Sequence, residues 1–199
     1  MDLETRRQLV HMSGIAIPFY LQWSYYTWGF ITPLLSLVLA IIILYLLSLG
    51  YKNKLGMPVV SKIIDATERP EVIEVSPARG ALMFLVGSTI TLVLFSFNIA
   101  IVAASIAVLA MGDSFSTLAG KRLSRHRIPY NKKKSLEGSL FGFIAAFVGA
   151  WVLVSWPIAL AGAMGGMLSE SLPLRVDDNL IIPIAAALSM TALSPILIL

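Results

Sequence analysis

The distribution of charge constrains what this chain can fold into more than any other feature. All 15 lysine and arginine residues fall into four patches, which are separated by long uncharged apolar stretches. The patches are Arg6–Arg7, the segment 52–79, the segment 121–134 and the single residue Arg175. The apolar stretches are about 15–20 residues long, close to the length that an α-helix needs to cross a bilayer. The pattern therefore predicts an all-α, polytopic membrane helix bundle.

The composition excludes an ordinary soluble domain. Hydrophobic residues make up 57% of the chain and charged residues 13%, whereas soluble domains contain about 25% charged residues. For a chain of 199 residues, we expect a single integral-membrane domain that covers 1–199. The sequence has no cysteine, which excludes disulfide bonds, thiol catalysis and cysteine-ligated metals.

We predict about seven transmembrane helices. Their approximate bounds are 9–24, 30–50, 80–96, 98–120, 137–155, 157–172 and 179–198. Because cytoplasmic loops carry the excess of lysine and arginine, all four patches are assigned to the cytosolic side. The N-terminus is then cytosolic, and cytosolic loops are expected at about 51–79, 121–136 and 172–178. The segment 51–79 is expected to be a partly ordered cover or a short helix, and Gly162 with Gly166 to allow close helix packing.

Asp113 is the first candidate for a functional residue. It lies near the end of an otherwise uncharged apolar run, and a carboxylate so deep in a hydrophobic segment is costly. Small or hydroxylated residues surround it, namely Gly112, Ser114, Ser116 and Thr117. Together they form a narrow polar stripe that suits a metal–phosphate site. The structural alternative is a carboxylate that pairs with a basic side chain or caps a broken helix.

The basic segment from Lys121 onward is the second candidate. It leads into Lys132-Lys133-Lys134-Ser135 and then into Glu137-Gly138. Lysines and a hydroxyl group can bind phosphates, and a glycine permits close backbone approach. Glu137 is explained if a divalent cation or an alcohol proton is also present. The alternative is that the lysines bind anionic lipid and fix the topology.

A third cluster lies where the sixth and seventh spans join. It contains Glu170, Asp177, Asp178 and Asn179. One of these residues can be explained as the N-cap of the last helix. With Asp113, the acids provide four carboxylates at one membrane face, enough to hold Mg²⁺ through one or two of them.

Two further observations complete the set of candidates. His11 lies four residues after Arg7 on the first helix, and it is either a structural hydrogen-bonding residue or a functional base. A P-loop is excluded, because Phe115 stands where that motif requires glycine before Gly120-Lys121.

In their order along the chain, these motifs resemble those of the CTP-dependent polyprenol kinases, which include dolichol kinase, phytol kinase and the CTP-using diacylglycerol kinase. The matching stretches are Glu4–His11, Gly112–Gly120, Pro129–Ser139, and Glu170 with 177–183. The Glu-Gly pair after Lys134-Ser135 looks more like the dolichol kinase branch. Ser124 departs from the pattern, since relatives often carry glycine there.

The resemblance implies a cytosol-facing site that transfers the γ-phosphate of CTP to a dolichol-like polyprenol with the help of Mg²⁺. The implied catalytic residues are Asp113, Glu137 and Asp177. The implied nucleotide-binding residues are Lys121, Lys133, Lys134, Ser135, Gly138 and His11. The implied metal ligands are Asp113, Glu170, Asp177 and Asp178. The expected location is the cell membrane, or the endoplasmic reticulum membrane in a eukaryote, with no nucleic-acid partner.

Two other functions fit parts of the pattern. A CTP:phospholipid cytidylyltransferase would use the same nucleotide and similar acidic and basic groups, but it would form a CDP-lipid. A small transporter would also fit the hydropathy, but it should carry polar groups at mid-membrane in paired halves. Here the polar groups cluster at one face, and this favours the kinase.

Overall fold

A computed structural model describes residues 1–194, and they are mostly helical. The helices are α1 (Leu3–Ser13), α2 (Ala16–Trp28), α3 (Ile31–Lys52), α4 (Pro58–Thr67), α5 (Pro70–Val75), α6 (Arg79–Leu94), α7 (Ile99–Leu123), α8 (Leu136–Trp151), α9 (Trp156–Ser171) and α10 (Asp178–Leu193). Strands β1 (Arg127–Ile128) and β2 (Asn131–Ser135) lie between α7 and α8. The last residues of the predicted span 179–198 lie outside the described part.

The predicted helical class is confirmed, and within the described residues each predicted apolar run except the first coincides with one helix. Helices α3 and α7, with 22 and 25 residues, are long and apolar enough to cross a membrane. Helices α6, α8 and α10 are apolar but have 16 residues each, which at 1.5 Å per residue gives about 24 Å. A bilayer core is about 30 Å thick. Seven crossings and a cytosolic N-terminus therefore stay predictions.

The structure departs from the predicted boundaries in two places. The first predicted span is interrupted, because α1 ends at Ser13 and α2 begins at Ala16. The basic segment after α7 is not a simple loop but a short antiparallel hairpin, in which Ile128 pairs with Asn131.

The segment 51–79 folds into α4 and α5. Pro58 and Pro70 stand at the first helical positions of these helices, where the fixed φ of proline is already helical and no backbone N–H is required. The prediction of a short helix in this segment is confirmed.

Helix α7 lies at the centre of the molecule. Residues 101–110 are each at most 2% exposed. Helices α1, α2, α8, α9 and α10 pack around α7, and its C-terminal half carries the polar stripe that begins at Asp113. The surrounding helices therefore bring their ends to the level of that stripe.

Glycines set the close spacing of these helices. A methyl group at Gly142 of α8 would lie 2.6 Å from the Ser116 side chain of α7. On α9, Gly162 lies against the Met190 side chain, and a methyl group at Gly166 would lie 2.6 Å from Val108 Cγ1. The predicted packing role of Gly162 and Gly166 is confirmed.

Candidate active site

A cleft with a volume of ≈ 1110 Å³ opens where the charged helix ends meet. Members of all four basic patches line it, including Arg7, Arg79, Lys133 and Arg175. Sites for small molecules commonly have volumes of about 300–1,000 Å³, so this cleft is large enough for a nucleoside triphosphate. The four patches are distant in sequence, and folding brings them to one face.

Three carboxylates meet on one wall of the cleft. Asp113 of α7, Glu170 in the last turn of α9 and Asp178 in the first turn of α10 have oxygen atoms that all lie within 4.8 Å of one another. Like charges at this distance repel each other, and one carboxylate raises the free energy of ionising the next. The arrangement therefore requires positive charge close by.

Lys134, near the end of β2, provides part of that charge. Its Nζ donates to Glu170 Oε1 at 2.5 Å and to Asp178 Oδ2 at 2.8 Å. Burial alone would lower the pKa of Lys134, but the carboxylates of Glu170, Asp113 and Asp178 raise it above its usual value. Lys134 therefore remains an ammonium at any physiological pH and binds two of the three acids.

The negative charge of the carboxylates that Lys134 does not neutralise suits a divalent cation. When all three carboxylates are ionised, the one ammonium leaves an excess of two negative charges. Glu170 is 1% exposed and accepts a hydrogen bond from Ser116 on Oε1, while its Oε2 has no hydrogen-bond partner within residues 1–194. Oxygen ligands of this kind suit Mg²⁺, which proteins often bind through one or two carboxylates. One or two of Asp113, Glu170 and Asp178 would thus hold it.

Asp177, also proposed as a metal ligand, has a different local role. Its Oδ1 accepts hydrogen bonds from the Asn179 backbone N–H at 3.1 Å and from the Asn179 side chain at 2.9 Å. This is the N-cap of α10. Asp177 lines the cleft and lies 3.8 Å from Arg79 Nη2, but it is not part of the three-carboxylate group. The capping role that was left open for one acid therefore belongs to Asp177.

Glu137, a candidate proton acceptor, lies outside the set of described residues that line the cleft. Its Oε1 accepts a hydrogen bond from the backbone N–H of His126 at 3.1 Å and lies 2.7 Å from His126 Nδ1. These contacts attach the start of the hairpin to the first turn of α8. The structure therefore places Glu137 beside the hairpin, away from Asp113.

The candidate phosphate-binding residues line the same cleft as the carboxylates. Lys121, Lys133, Lys134, Ser135 and Gly138 all contribute to its wall. Ser135 Oγ accepts a hydrogen bond from the Gly138 backbone N–H at 3.1 Å and so caps α8. Lys121 forms an ion pair with Asp2 at 2.8 Å. The structure thus brings basic and acidic candidates together across one opening.

His11 lies on a different wall. It lines a second, smaller cavity next to the cleft, and its Nε2 is 3.5 Å from Asp113 Oδ2. The structure therefore places His11 beside the carboxylate group rather than among the basic residues.

Glu4 is a residue whose role the sequence did not reveal. It is 9% exposed, and its carboxylate accepts hydrogen bonds from Arg7 at 2.5 Å, Arg69 at 2.7 Å and Gln8 at 3.1 Å. Burial would raise the pKa of Glu4, but Arg69 and Arg7 lower it to about 2. Through Arg69, Glu4 attaches the segment 51–79 to α1 and so brings this segment to the cleft. Only Arg7 and Gln8 stand at helical spacing from Glu4, and Arg69 follows 65 residues later.

The sequence of this chain is similar to those of several known kinases. Probable phytol kinase 2, chloroplastic, from Oryza sativa subsp. japonica is 29% identical over 94% of this chain and 65% of its own length. Farnesol kinase, chloroplastic, from Arabidopsis thaliana shows the same identity and coverage. The chain is a homologue of the phytol and farnesol kinases. The predicted resemblance to polyprenol-type kinases is confirmed.

The match to these kinases has defined limits. The chain spans 65% of the length of these two relatives, slightly less than two thirds. Probable phytol kinase, chloroplastic, from Triticum aestivum is 30% identical over 55% of this chain. No protein-family model and no solved structure matches the chain. The homology therefore supports a kinase of lipid alcohols, while the donor, the particular alcohol and the membrane are matters for proposal.

Proposed function

We propose that this chain transfers the γ-phosphate of CTP to the hydroxyl group of an isoprenoid alcohol at the cytosolic face of a membrane. The observation that carries the proposal is the group of Asp113, Glu170, Asp178 and Lys134 on the wall of a basic cleft. Phosphoryl transfer depends on positioning and on neutralising the charge of the phosphates. This cleft offers both, and the relatives are named as kinases of phytol and farnesol.

The basic residues bind the donor in this proposal. Lys121, Lys133 and the arginines of the second patch line the opening, where their charge attracts a triphosphate. Ser135 and Gly138 form the capped N-terminus of α8 in the same wall, and anions are stabilised near such a terminus. The choice of cytosine over adenine rests on the family resemblance, since no residue here dictates the base.

The three carboxylates divide two tasks between them. Bound Mg²⁺ would neutralise negative charge on the phosphates and fix their orientation. One or two carboxylates are enough to hold that ion, which leaves one for the acceptor hydroxyl. Asp113 lines both the cleft and the second cavity, whereas Asp177 caps α10 and Glu137 contacts His126. We therefore assign Asp113 to accept the proton of the alcohol.

The membrane arrangement belongs to the same proposal. Helices α3 and α7 are long enough to cross a bilayer, and we propose that α2, α6, α8, α9 and α10 complete seven crossings with the N-terminus in the cytosol. The convergence of all four basic patches on one cleft supports a single cytosolic face. An alcohol can then reach the site from the bilayer while the nucleotide reaches it from water.

The test is a transfer assay with two radiolabels. The purified protein in detergent is incubated with Mg²⁺ and with farnesol, phytol, dolichol or, as the acceptor for a cytidylyltransferase, phosphatidate. The donor is CTP labelled in the γ-phosphate or in the α-phosphate, with γ-labelled ATP as control. We expect lipid-associated label from γ-labelled CTP alone. Label from α-labelled CTP would indicate a cytidylyltransferase, and equal transfer from ATP would contradict the CTP preference. Ranking of the alcohols then decides between the dolichol branch and the phytol and farnesol branches.

A further inference from the structure

A second cavity, with a volume of ≈ 410 Å³, lies between α1, α2 and α6. It adjoins the basic cleft, because Arg7, Glu68, Gly80, Asp113 and Asn179 line both spaces. The cavity therefore reaches the candidate active site beside the apolar helices α2 and α6, with α1 as a further wall.

The lining of this cavity combines two kinds of side chain. Its polar members include Arg7, Glu68, His11 and Asp113. Its apolar members are Val10, Ile17, Ala81, Phe84 and Leu85. An occupant that fits both kinds of side chain has one polar group and a hydrocarbon chain, and this is the chemistry of a lipid alcohol.

The lining residues that carry a buried polar atom without a partner within residues 1–194 include His11, Gln8 and Asn179. Of these, His11 lies beside Asp113. Its side chain is 12% exposed, and its Nε2 has no hydrogen-bond partner within residues 1–194. A buried polar atom without a partner is costly unless a ligand or water satisfies it. Nε2 lies 3.5 Å from Asp113 Oδ2, so a hydroxyl group bound there would lie beside the carboxylate.

Packing fixes the position of the His11 ring. The ring stands edge-on to Phe84, with ring centroids 5.0 Å apart. Phe84 is 4% exposed, and a methyl group at Gly14 would lie 2.8 Å from its Cζ. Because Gly14 allows Phe84 to approach, the imidazole is held against an apolar side chain of the cavity wall.

We propose that this cavity binds the hydroxyl end of the isoprenoid acceptor, with its first branched carbons against Phe84, Ile17 and Leu85 and its hydroxyl group hydrogen-bonded to His11 beside Asp113. The inference rests on the proposed function. It assigns the acceptor and the donor to different spaces that meet at Asp113. His11 then contacts the acceptor rather than the nucleotide, in contrast to the role that the family resemblance implied.

The first experiment fills the cavity. Ala81 is an exposed residue of α6 on its wall, and Ala81→Trp should occupy the space of the hydrocarbon chain. We expect the KM for farnesol to rise about tenfold or more, the scale on which pocket contacts discriminate hydrocarbon groups, and the KM for CTP to stay within about twofold. Val93→Trp is the matched control, because Val93 is 50% exposed on the same helix and outside the cavity wall.

The second experiment separates hydrogen bonding from packing at His11. His11→Phe keeps an aromatic ring against Phe84 but removes the polar atom, whereas His11→Gln keeps a hydrogen-bonding group. We expect the phenylalanine variant to lose at least about tenfold in kcat/KM for the alcohol, with the KM for CTP unchanged and partial recovery in the glutamine variant. A purely structural role would give the reverse order.

A binding probe distinguishes failure of this inference from failure of the proposed function. A diazirine analogue of farnesol is photocrosslinked without CTP or Mg²⁺, and the labelled peptides are identified by mass spectrometry. We expect labelling in 14–17 and 80–85. Labelling there without any transfer activity would overturn the kinase function and leave the lipid site. Transfer activity combined with labelling elsewhere, and with no effect of Ala81→Trp, would overturn the acceptor site.

Discussion

Helices α3 and α7 are both long and apolar, but they occupy different positions in the molecule. Both are apolar enough to cross a membrane, yet 17% of the most apolar window of α3 is buried inside the protein, against 78% of that of α7. Helix α3 presents Leu35, Leu39 and Leu46 outward, each more than half exposed. Helix α7 is covered by its neighbours and carries Asp113. Hydropathy alone therefore cannot tell a boundary helix from a central one.

The difference in burial between α3 and α7 follows from Asp113 and the other polar groups that α7 carries. In α3, Ser36 and Ser48 donate to backbone carbonyls, Ser36 to Pro33 in the same helix and Ser48 to Pro77 in the segment 51–79. In α7, Ser116 instead contacts Glu170 of α9, and Asp113 lies near α9 and α10. A helix that carries buried polar groups must be surrounded by partners, because each unpaired group is costly. The predictions below test this contrast, from the largest expected effect to the smallest.

Asp113→Asn should have the largest effect. The variant keeps the size of the side chain but removes the negative charge, so it neither accepts a proton nor contributes to a metal site. We expect kcat to fall by about 10²–10⁴-fold, the usual contribution of a positioned acid or base. The melting temperature should stay the same or rise, because Asp113 lies close to two other carboxylates. The transfer assay measures kcat, and thermal unfolding in detergent measures the melting temperature.

The control for Asp113 is Ser36→Ala in α3, whose hydroxyl group contacts its own helix. Turnover of this variant should match that of the unmodified protein. Near-normal turnover of Asp113→Asn would show that Asp113 is structural and that the contrast between the two helices concerns packing alone.

Lys134→Ala should have the next largest effect. The lysine contacts two carboxylates at the edge of the basic cleft, and its loss removes the positive charge nearest to the metal–phosphate region. We expect the KM for CTP to rise by about 10–100-fold, which corresponds to one hydrogen bond of a charged group. Lys52→Ala is the control, because Lys52 ends α3 and contacts the Val75 carbonyl. An unchanged KM together with altered membrane orientation would support the topological role of the lysine run.

Much of the fold could be predicted from local patterns. Apolar runs bounded by charges indicated the helices, and Pro58 and Pro70 stand at helix starts, where proline is favoured. The break between α1 and α2 was not predicted, because no charged residue lies between Leu9 and Trp28 to mark it. The hairpin at Arg127–Ser135 was not predicted either. Its strands are short and basic, and they lack the alternation that indicates a strand.

The site was only partly predictable for a different reason. Charge patterning singled out Asp113, Lys134, Glu170 and Asp178, which the structure brings together. It could not separate Asp178 from Asp177, since one residue in sequence decides which acid caps α10 and which turns toward Lys134. Glu4 and Arg69 meet only through tertiary folding, and no spacing rule connects residues so far apart.

Gly142→Val should reduce stability rather than affinity. The added atoms would meet Ser116 and the Gly112 carbonyl oxygen, the latter at 2.8 Å from the first new carbon, so α7 and α8 would have to separate. Overpacking of this kind costs about 1–3 kcal/mol, which we expect as a clear loss of melting temperature in detergent. Leu39→Ala in α3 is the control, because Leu39 is 57% exposed, and such sites usually change stability by less than about 0.5 kcal/mol. Equal losses for both variants would contradict the distinction between a central and a boundary helix.

The smallest expected effect concerns Glu4, whose ion pair with Arg69 attaches the segment 51–79 to α1. This segment directly follows α3. Arg69 and Arg7 lower the pKa of Glu4 to about 2 from its usual value of 4.5. A carboxylate whose pKa is lower in the folded state than in the unfolded state stabilises the folded state at pH values above the unfolded pKa. For Glu4, this contribution is lost as the pH falls from about 4.5 toward 2. Arg7 and Arg69 are 33% and 43% exposed, so solvent screens the pairs and the contribution is modest.

We expect Glu4→Gln to lower the melting temperature by roughly 2–4 °C at pH 7 and by less at pH 3. A constant difference between pH 7 and pH 3 would mean that Glu4 acts through packing, and that the ion pair with Arg69 does not hold the segment against α1.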